Sequence, residues 1–178
     1  MRRVFMLFSI AALPCLAAAP AFALMAKKPV RAAAALRDAA GQDRGRAQLI
    51  ETGDGVRLTV SATGLPPGVH AVHVHTTGAC AAPDFTSAGG HWNPTSRKHG
   101  MNNPDGKHLG DLPNMTVAAD GTGTLSATIT GGRIAEGALP LLDGDGAAVV
   151  VHANADDYAS DPAGNAGGRI ACGVITRG

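Results

Sequence analysis

The stretch GVHAVHVHTTGACAAPDFTSAGGHWNPTSRKHGMNNPDGKHLGDLPN, residues 68–114, decides both the fold and the chemistry of this chain. Six of the seven histidines fall within it, and after its first few positions it carries little apolar content. A core is not composed this way, whereas a metal site is. His73 and His75 sit two apart at the end of an apolar run, and on a strand residues i and i+2 face the same way, so both rings can meet one ion. His91, His99, His108 and Asp111 follow along a loop rich in Gly, Pro and Asn, and His152 comes later, after the apolar run AAVVV. Imidazole suits copper and zinc, and a carboxylate completing a histidine set suits zinc. Seven candidate ligands exceed what one four-coordinate ion needs, which points to two ions sharing or splitting them. His70 lies three residues before His73, so it faces away from the pair on a strand and is expected to hydrogen-bond rather than ligate.

Outward from this stretch the chain reads as short strands and turns. With 24 Gly, 11 Pro and 3% aromatics, it shows a meander over residues 30–38, 45–52 and 56–63, the last following the turn GDG. Leu58, Val60 and Ala62 share a face in RLTVSA. Beyond the HVH strand come segments at 114–119 and 123–130 around the hairpin signal ADGT, then 147–153 and 169–176. These eight segments, with no long amphipathic helix and no repeat, predict an all-β antiparallel barrel or sandwich. Two connections, residues 76–112 and 154–168, exceed ordinary loop lengths and are expected to carry function.

At the start, MRRVFMLFSIAALPCLAAAPAFA places two arginines before an apolar stretch and ends on the small-x-small pattern Ala21-Phe22-Ala23. Residues 1–23 therefore read as a secretory signal peptide, leaving 24–178 as one domain destined for the periplasm or for secretion. Pro14 rather than a small residue precedes Cys15, which argues against lipidation. No later stretch is long and apolar enough to span a membrane. Without Arg2 and Arg3 the chain has 13 basic against 14 acidic residues, about −1 overall, so nucleic-acid binding is not indicated. Cys80 and Cys172 remain as an even pair in an exported chain and are expected to form a disulfide. A monomer and a homodimer are both compatible with the sequence.

HVH, GGHWNP, KHG, HLGDLPN, VVVHANADD and GNAGGRIACGV, in this order, resemble the copper,zinc superoxide dismutases in their bacterial secreted form. The resemblance runs from about Gly68 to the C-terminus and more loosely back to about Pro29. It implies an eight-stranded Greek-key barrel, for copper/zinc superoxide dismutase is itself a standard example of the sandwich architecture. It further implies copper ligands at His73, His75, His91 and His152, and zinc ligands at His91, His99, His108 and Asp111, with His91 bridging both ions. Asp156 matches the carboxylate that hydrogen-bonds ligands of both metals, with Asp157 beside it as a rival. Arg169 matches the arginine that holds a small anion beside copper, and Cys172, three residues on, would tether the metal loop to the strand presenting it.

The activity implied is dismutation of superoxide to oxygen and hydrogen peroxide, with His91 and Arg169 as catalytic residues. Two departures stand out. The last loop reads DDYASDPAGNAGG, without a lysine and with Ala163 where the family often has threonine, and Trp92 replaces a usual Phe. A metal-buffering protein without turnover would keep every ligand but need no Arg169. A zinc hydrolase would need a general base and substrate pocket that the sequence does not offer.

Overall fold

The computed structural model describes residues 28–178, and the expected signal peptide lies outside the described residues. Ten antiparallel strands form a single sheet: β1 (Arg31–Arg37), β2 (Asp43–Glu51), β3 (Gly55–Ala62), β4 (Gly68–His70), β5 (Val72–His75), β6 (Met115–Val117), β7 (Gly123–Thr130), β8 (Ala148–His152), β9 (Arg169–Val174) and β10 (Thr176–Arg177). All eight expected segments are present, and two short strands, β4 and β10, are added. The strands lie in the order β4-β6-β7-β3-β2-β1-β9-β8-β5, with β10 on β1. The two ends of this path, β4 and β5, are consecutive in the chain and separated by Ala71 alone. One residue spans only about 3.5 Å, so the sheet must curl until its edges meet, which makes a nearly closed barrel.

Alternation explains which faces turn inward. In β1, Ala32, Ala34 and Leu36 are buried while their neighbours are exposed; in β3, Leu58, Val60 and Ala62 are buried beside the exposed Arg57 and Ser61 and the half-buried Thr59. The turn at Asp120-Gly121 joins β6 to β7, Gly121 taking the left-handed conformation (φ 81°) such a turn favours. β8 breaks the alternation because both of its faces are covered. Val149 and Val151 join the main core, whereas Ala148 and Val150 pack with Phe85, Ala88 and Cys172 in a second cluster.

β5 positions the metal ligands. It pairs with β8 through Val72 opposite Val151 and His73 opposite Val150. Val72 and Val74 enter the core, which leaves His73 and His75 on the outer face. The long loop is laid across that face: Val74 N–H donates to Gly110 O, Trp92 N–H to Val74 O and Gly110 N–H to Trp92 O. A side chain at position 110 would collide with Val74 O, so only glycine permits this three-backbone junction. Trp92 is buried in the core and anchors the loop beside His91.

Candidate metal centre

Each histidine of the first cluster spends its N–H on a fixed acceptor and turns its other nitrogen toward the others. His75 Nδ1 donates to Gly89 O at 2.9 Å, and His152 Nδ1 lies 3.3 Å from Gly167 O. His73 Nε2 donates to Asp156 at 2.8 Å. This leaves His75 Nε2 and His152 Nε2 3.3 Å apart, while His73 Nδ1 and His91 Nε2 are buried without any hydrogen-bond partner. Lone pairs crowded together in a dry site are repulsive unless a cation lies between them. Ligand atoms of His73, His75, His91 and His152 lie within 4.8 Å of one another, a four-imidazole set suited to copper.

The second cluster is tighter. Asp111 Oδ1 lies 2.8 Å from His91 Nδ1, 3.1 Å from His99 Nδ1 and 3.2 Å from His108 Nδ1. His91 Nδ1 is in turn 3.3 Å from His99 Nδ1 and 3.4 Å from His108 Nδ1. A tetrahedral zinc with bonds near 2.0–2.1 Å has ligand edges of about 3.3 Å, so this donor set fits that ion. A group can also be drawn with His73 in place of His108. His108 Nδ1, 3.2 Å from Asp111 Oδ1 and 3.4 Å from His91 Nδ1, stands within the same donor group.

Burial and charge move these groups in opposite directions. Burial lowers His73 to about 4, His75 to about 2 and His152 to about 3, so all three are neutral imidazoles at neutral pH, the form that binds metal. Burial also acts to lower His99, but hydrogen bonds to Asp111 and Asp156 outweigh it and raise it to about 9. For Asp111, burial pushes upward and is overcome by hydrogen bonds from His91, His99 and the Gly100 amide, leaving it far below the usual carboxylate range.

Asp156 joins the two clusters. Its Oδ2 accepts from His73 and its Oδ1 from His99 Nε2 at 2.9 Å, while Tyr158 N–H adds a bond of 2.7 Å to Oδ1. Asp157 is turned outward and bonds only within its own loop, to Ala159, Ser160 and Asn165. Asn114 fixes Asp156 from behind, accepting its N–H at 2.8 Å and donating to its carbonyl at 2.9 Å. No local sequence signal marks Asn114 for this role, or Tyr158, whose hydroxyl accepts Asn114 N–H. Gly164 fits against this contact, and a Cβ there would press on Asp156 Oδ1 and His99 Nε2.

Arg169, at the start of β9, donates to Phe85 O at 2.6 Å and Gly89 O at 2.7 Å. It lines a cavity of about 400 Å³ together with His75, His91, His152 and the loop residues Pro162 and Ala163. Cys80 and Cys172 are bridged, 92 residues apart, and Cys172 packs with Phe85, so the disulfide braces a carbonyl that aims the guanidinium. His70 faces the other way, each ring nitrogen 2.8 Å from a carbonyl, of His152 and of Pro66.

A four-nitrogen donor set beside one of three nitrogens and a carboxylate oxygen, both on the outer face of an antiparallel barrel, defines a metalloprotein with a copper-type and a zinc-type site side by side. The chain belongs to the copper/zinc superoxide dismutase family, whose profile matches residues 43–175. It is 45% identical to superoxide dismutase [Cu-Zn] 2 of Aquifex aeolicus, across 82% of this chain and 86% of that protein. It is 44% identical to superoxide dismutase [Cu-Zn] of Caulobacter vibrioides, across 81% and 84%. Among solved structures, a SOD-like protein from Bacillus subtilis superposes with a TM-score of 0.76 at 40% identity, covering 80% of this chain and 96% of that one.

Proposed function

We propose that this protein converts superoxide to oxygen and hydrogen peroxide at a copper ion held by His73, His75, His91 and His152, beside a zinc ion held by His91, His99, His108 and Asp111. The observation that carries this reading is His91, whose Nδ1 sits within the second donor set while its Nε2 is buried and unpartnered toward the first. Copper, when bound, supplies one-electron chemistry in both directions, oxidising one superoxide and reducing a second, which zinc cannot do. The chain's own residues do the rest. Arg169, fixed by two carbonyls, presents its remaining N–H groups to the cavity and holds a monovalent anion by charge and directed donors. His91 Nε2 would take up one proton when it is not ligating and pass it to the reduced oxygen species, solvent supplying the second proton of hydrogen peroxide, while Nδ1 keeps the ring in place. Asp156 orients His73 and His99 by accepting their outer N–H groups.

Residues 1–23 act in this reading as a signal peptide that sends residues 24–178 to the periplasm or outside the cell, as a monomer or homodimer. The leader's paired arginines and apolar run support this, as does the disulfide. The test is elemental analysis of the mature protein after reconstitution with both metals, alongside superoxide consumption. One copper and one zinc per chain with rapid consumption is expected. Zinc alone after copper reconstitution would sink the enzymatic reading.

A further inference from the structure

We propose that Asp161 is a positioning residue that ties the rim of the copper cavity to the backbone of the zinc ligand His99. The inference rests on the metal assignment above. The Asp161 carboxylate accepts His99 N–H at 2.6 Å, across 62 positions of sequence. The next two residues, Pro162 and Ala163, line the cavity together with His91 and Arg169.

What singles out this bond is how little else holds the rim. Among the described residues, the other hydrogen bonds of residues 159–165 stay inside their own loop. Gly164 N–H reaches Ser160 O, Asp157 N–H reaches Gly164 O, and Ala166 N–H reaches Ala163 O. The amides of Ala159 and Ser160 reach Asp157, and Asn165 bonds to Asp157 and Ser160. Outward anchors exist on either side, at Tyr158, whose carbonyl accepts Asn102 N–H, and at Ala166, whose carbonyl accepts Asn154 N–H. Between them Asp161 is the single hydrogen-bonded tether, and it grips the backbone of a side chain that is itself fully buried among zinc donors.

The consequence is mechanical. The His99 ring, which would be held by zinc when that ion is bound, fixes its own backbone, and the backbone amide fixes Asp161 and with it the two residues that line the cavity. Asp161 is exposed, so its value lies in the one bond it accepts and not in packing. An amide oxygen can accept the same N–H, so Asp161→Asn keeps the tether and Asp161→Ala removes it.

Wild type, Asp161→Ala and Asp161→Asn would be loaded with copper and zinc. Zinc affinity would be read by chelator competition, and azide, a small monovalent anion, would be titrated against the copper(II) absorption spectrum. Asp161→Ala is expected to weaken zinc by about 10-fold, the low end for loss of an outer partner of a metal ligand, and to change azide affinity by at least twofold. Asp161→Asn is expected to match wild type in both. Alanine and wild type giving the same zinc and azide affinities would overturn the proposal, as would an asparagine variant no better than alanine. Weakened zinc with unchanged azide binding would overturn the link to the rim. Failure of the wild type itself to give an azide-sensitive copper spectrum would instead refute the metal assignment on which the proposal stands.

Discussion

Asp111 shows how much one side chain can hold. Its Oδ2 accepts the amides of Gly100 and His108 at 3.0 Å, so the carboxylate is locked before any ion arrives, and its Oδ1 stands among three Nδ1 atoms. Asp111→Ala removes the only anionic donor of the zinc set and, of the copper set, touches only the shared His91. Zinc affinity is expected to fall by more than about 10-fold while copper stays bound, whereas His91→Ala should disturb both ions. Metal analysis that found copper lost and zinc retained in Asp111→Ala would show the ligands to be partitioned wrongly. Gly164 makes the complementary case, with a backbone in the left-handed region (φ 64°) and no room for a Cβ beside Asp156 and His99. Gly164→Ala should therefore lower stability by about 1–3 kcal/mol and loosen zinc. A melting curve of the metal-loaded variant that overlays wild type would contradict this.

At the scale of elements, the barrel's strands supply His73, His75 and His152 as fixed posts, the first long loop supplies the remaining ligands and the second supplies Asp156 behind them, so loop order and metal order depend on each other. The ligand shifts predict how the metal-free protein responds to pH. His73, His75 and His152 have lowered values in the fold, so the unfolded chain binds more protons than the folded one below its ordinary value near 6.5. Stability from these three is full above that pH and is lost as pH falls, by about 1.4 kcal/mol per pH unit for each proton. His99 is raised to about 9, so its contribution is full below about 6.5 and is lost as pH rises toward 9. Metal-free protein should thus melt highest near pH 6.5 and fall away on both sides, steeply on the acid side. A melting temperature still rising between pH 7 and 9 would contradict the charged state assigned to His99. Most of this architecture was legible in the sequence, because alternation in β1 and β3 and the spacing of His73 and His75 are local properties. Local pattern does not reach the tether from Asp161 to His99, the reciprocal bonds of Asn114 with Asp156, or the close approach of Gly110 to Val74. Each joins residues distant in sequence whose meeting is fixed only when a long loop folds back on β5. The interruption at Ala71 was hidden for a related reason. GVHAVHVH reads as one strand, and only closure of the barrel divides it between the sheet's two edges.

For the whole molecule the question is how an anion reaches copper on a chain with almost no net charge. At +1 for the full sequence, and about −1 for residues 24–178 alone, the protein offers no overall attraction, so any steering must be local. Superoxide dismutase is itself a standard example of a diffusion-limited enzyme, yet here the last loop lacks a lysine, and near the rim it carries the exposed Asp161. The structure distinguishes among the cations that remain. Lys98 is paired with Asp105 at 3.2 Å, and Lys107 donates to Asp111 O at 2.7 Å from a half-buried position. Arg97 is exposed and makes no ion pair among the described residues. It is also held next to the cavity: Asn93, which lines it, accepts Arg97 N–H at 3.0 Å and donates to Arg97 O at 2.7 Å. A unit charge about 10 Å from the approaching anion contributes ~0.4 kcal/mol in water, a factor of about two in rate. Arg97→Gln is therefore expected to lower the rate at low salt about twofold and to flatten its decline with ionic strength, since exposed charges are screened beyond about 8–10 Å. Arg97→Lys should restore both, Lys98→Gln should change little, and Arg169→Ala should lower the rate far more while both metals remain bound. Pulse radiolysis from low to physiological ionic strength reads all of these. A wild-type rate that does not change with salt would mean that this chain captures its substrate without steering, and that the loss of the lysine was never compensated.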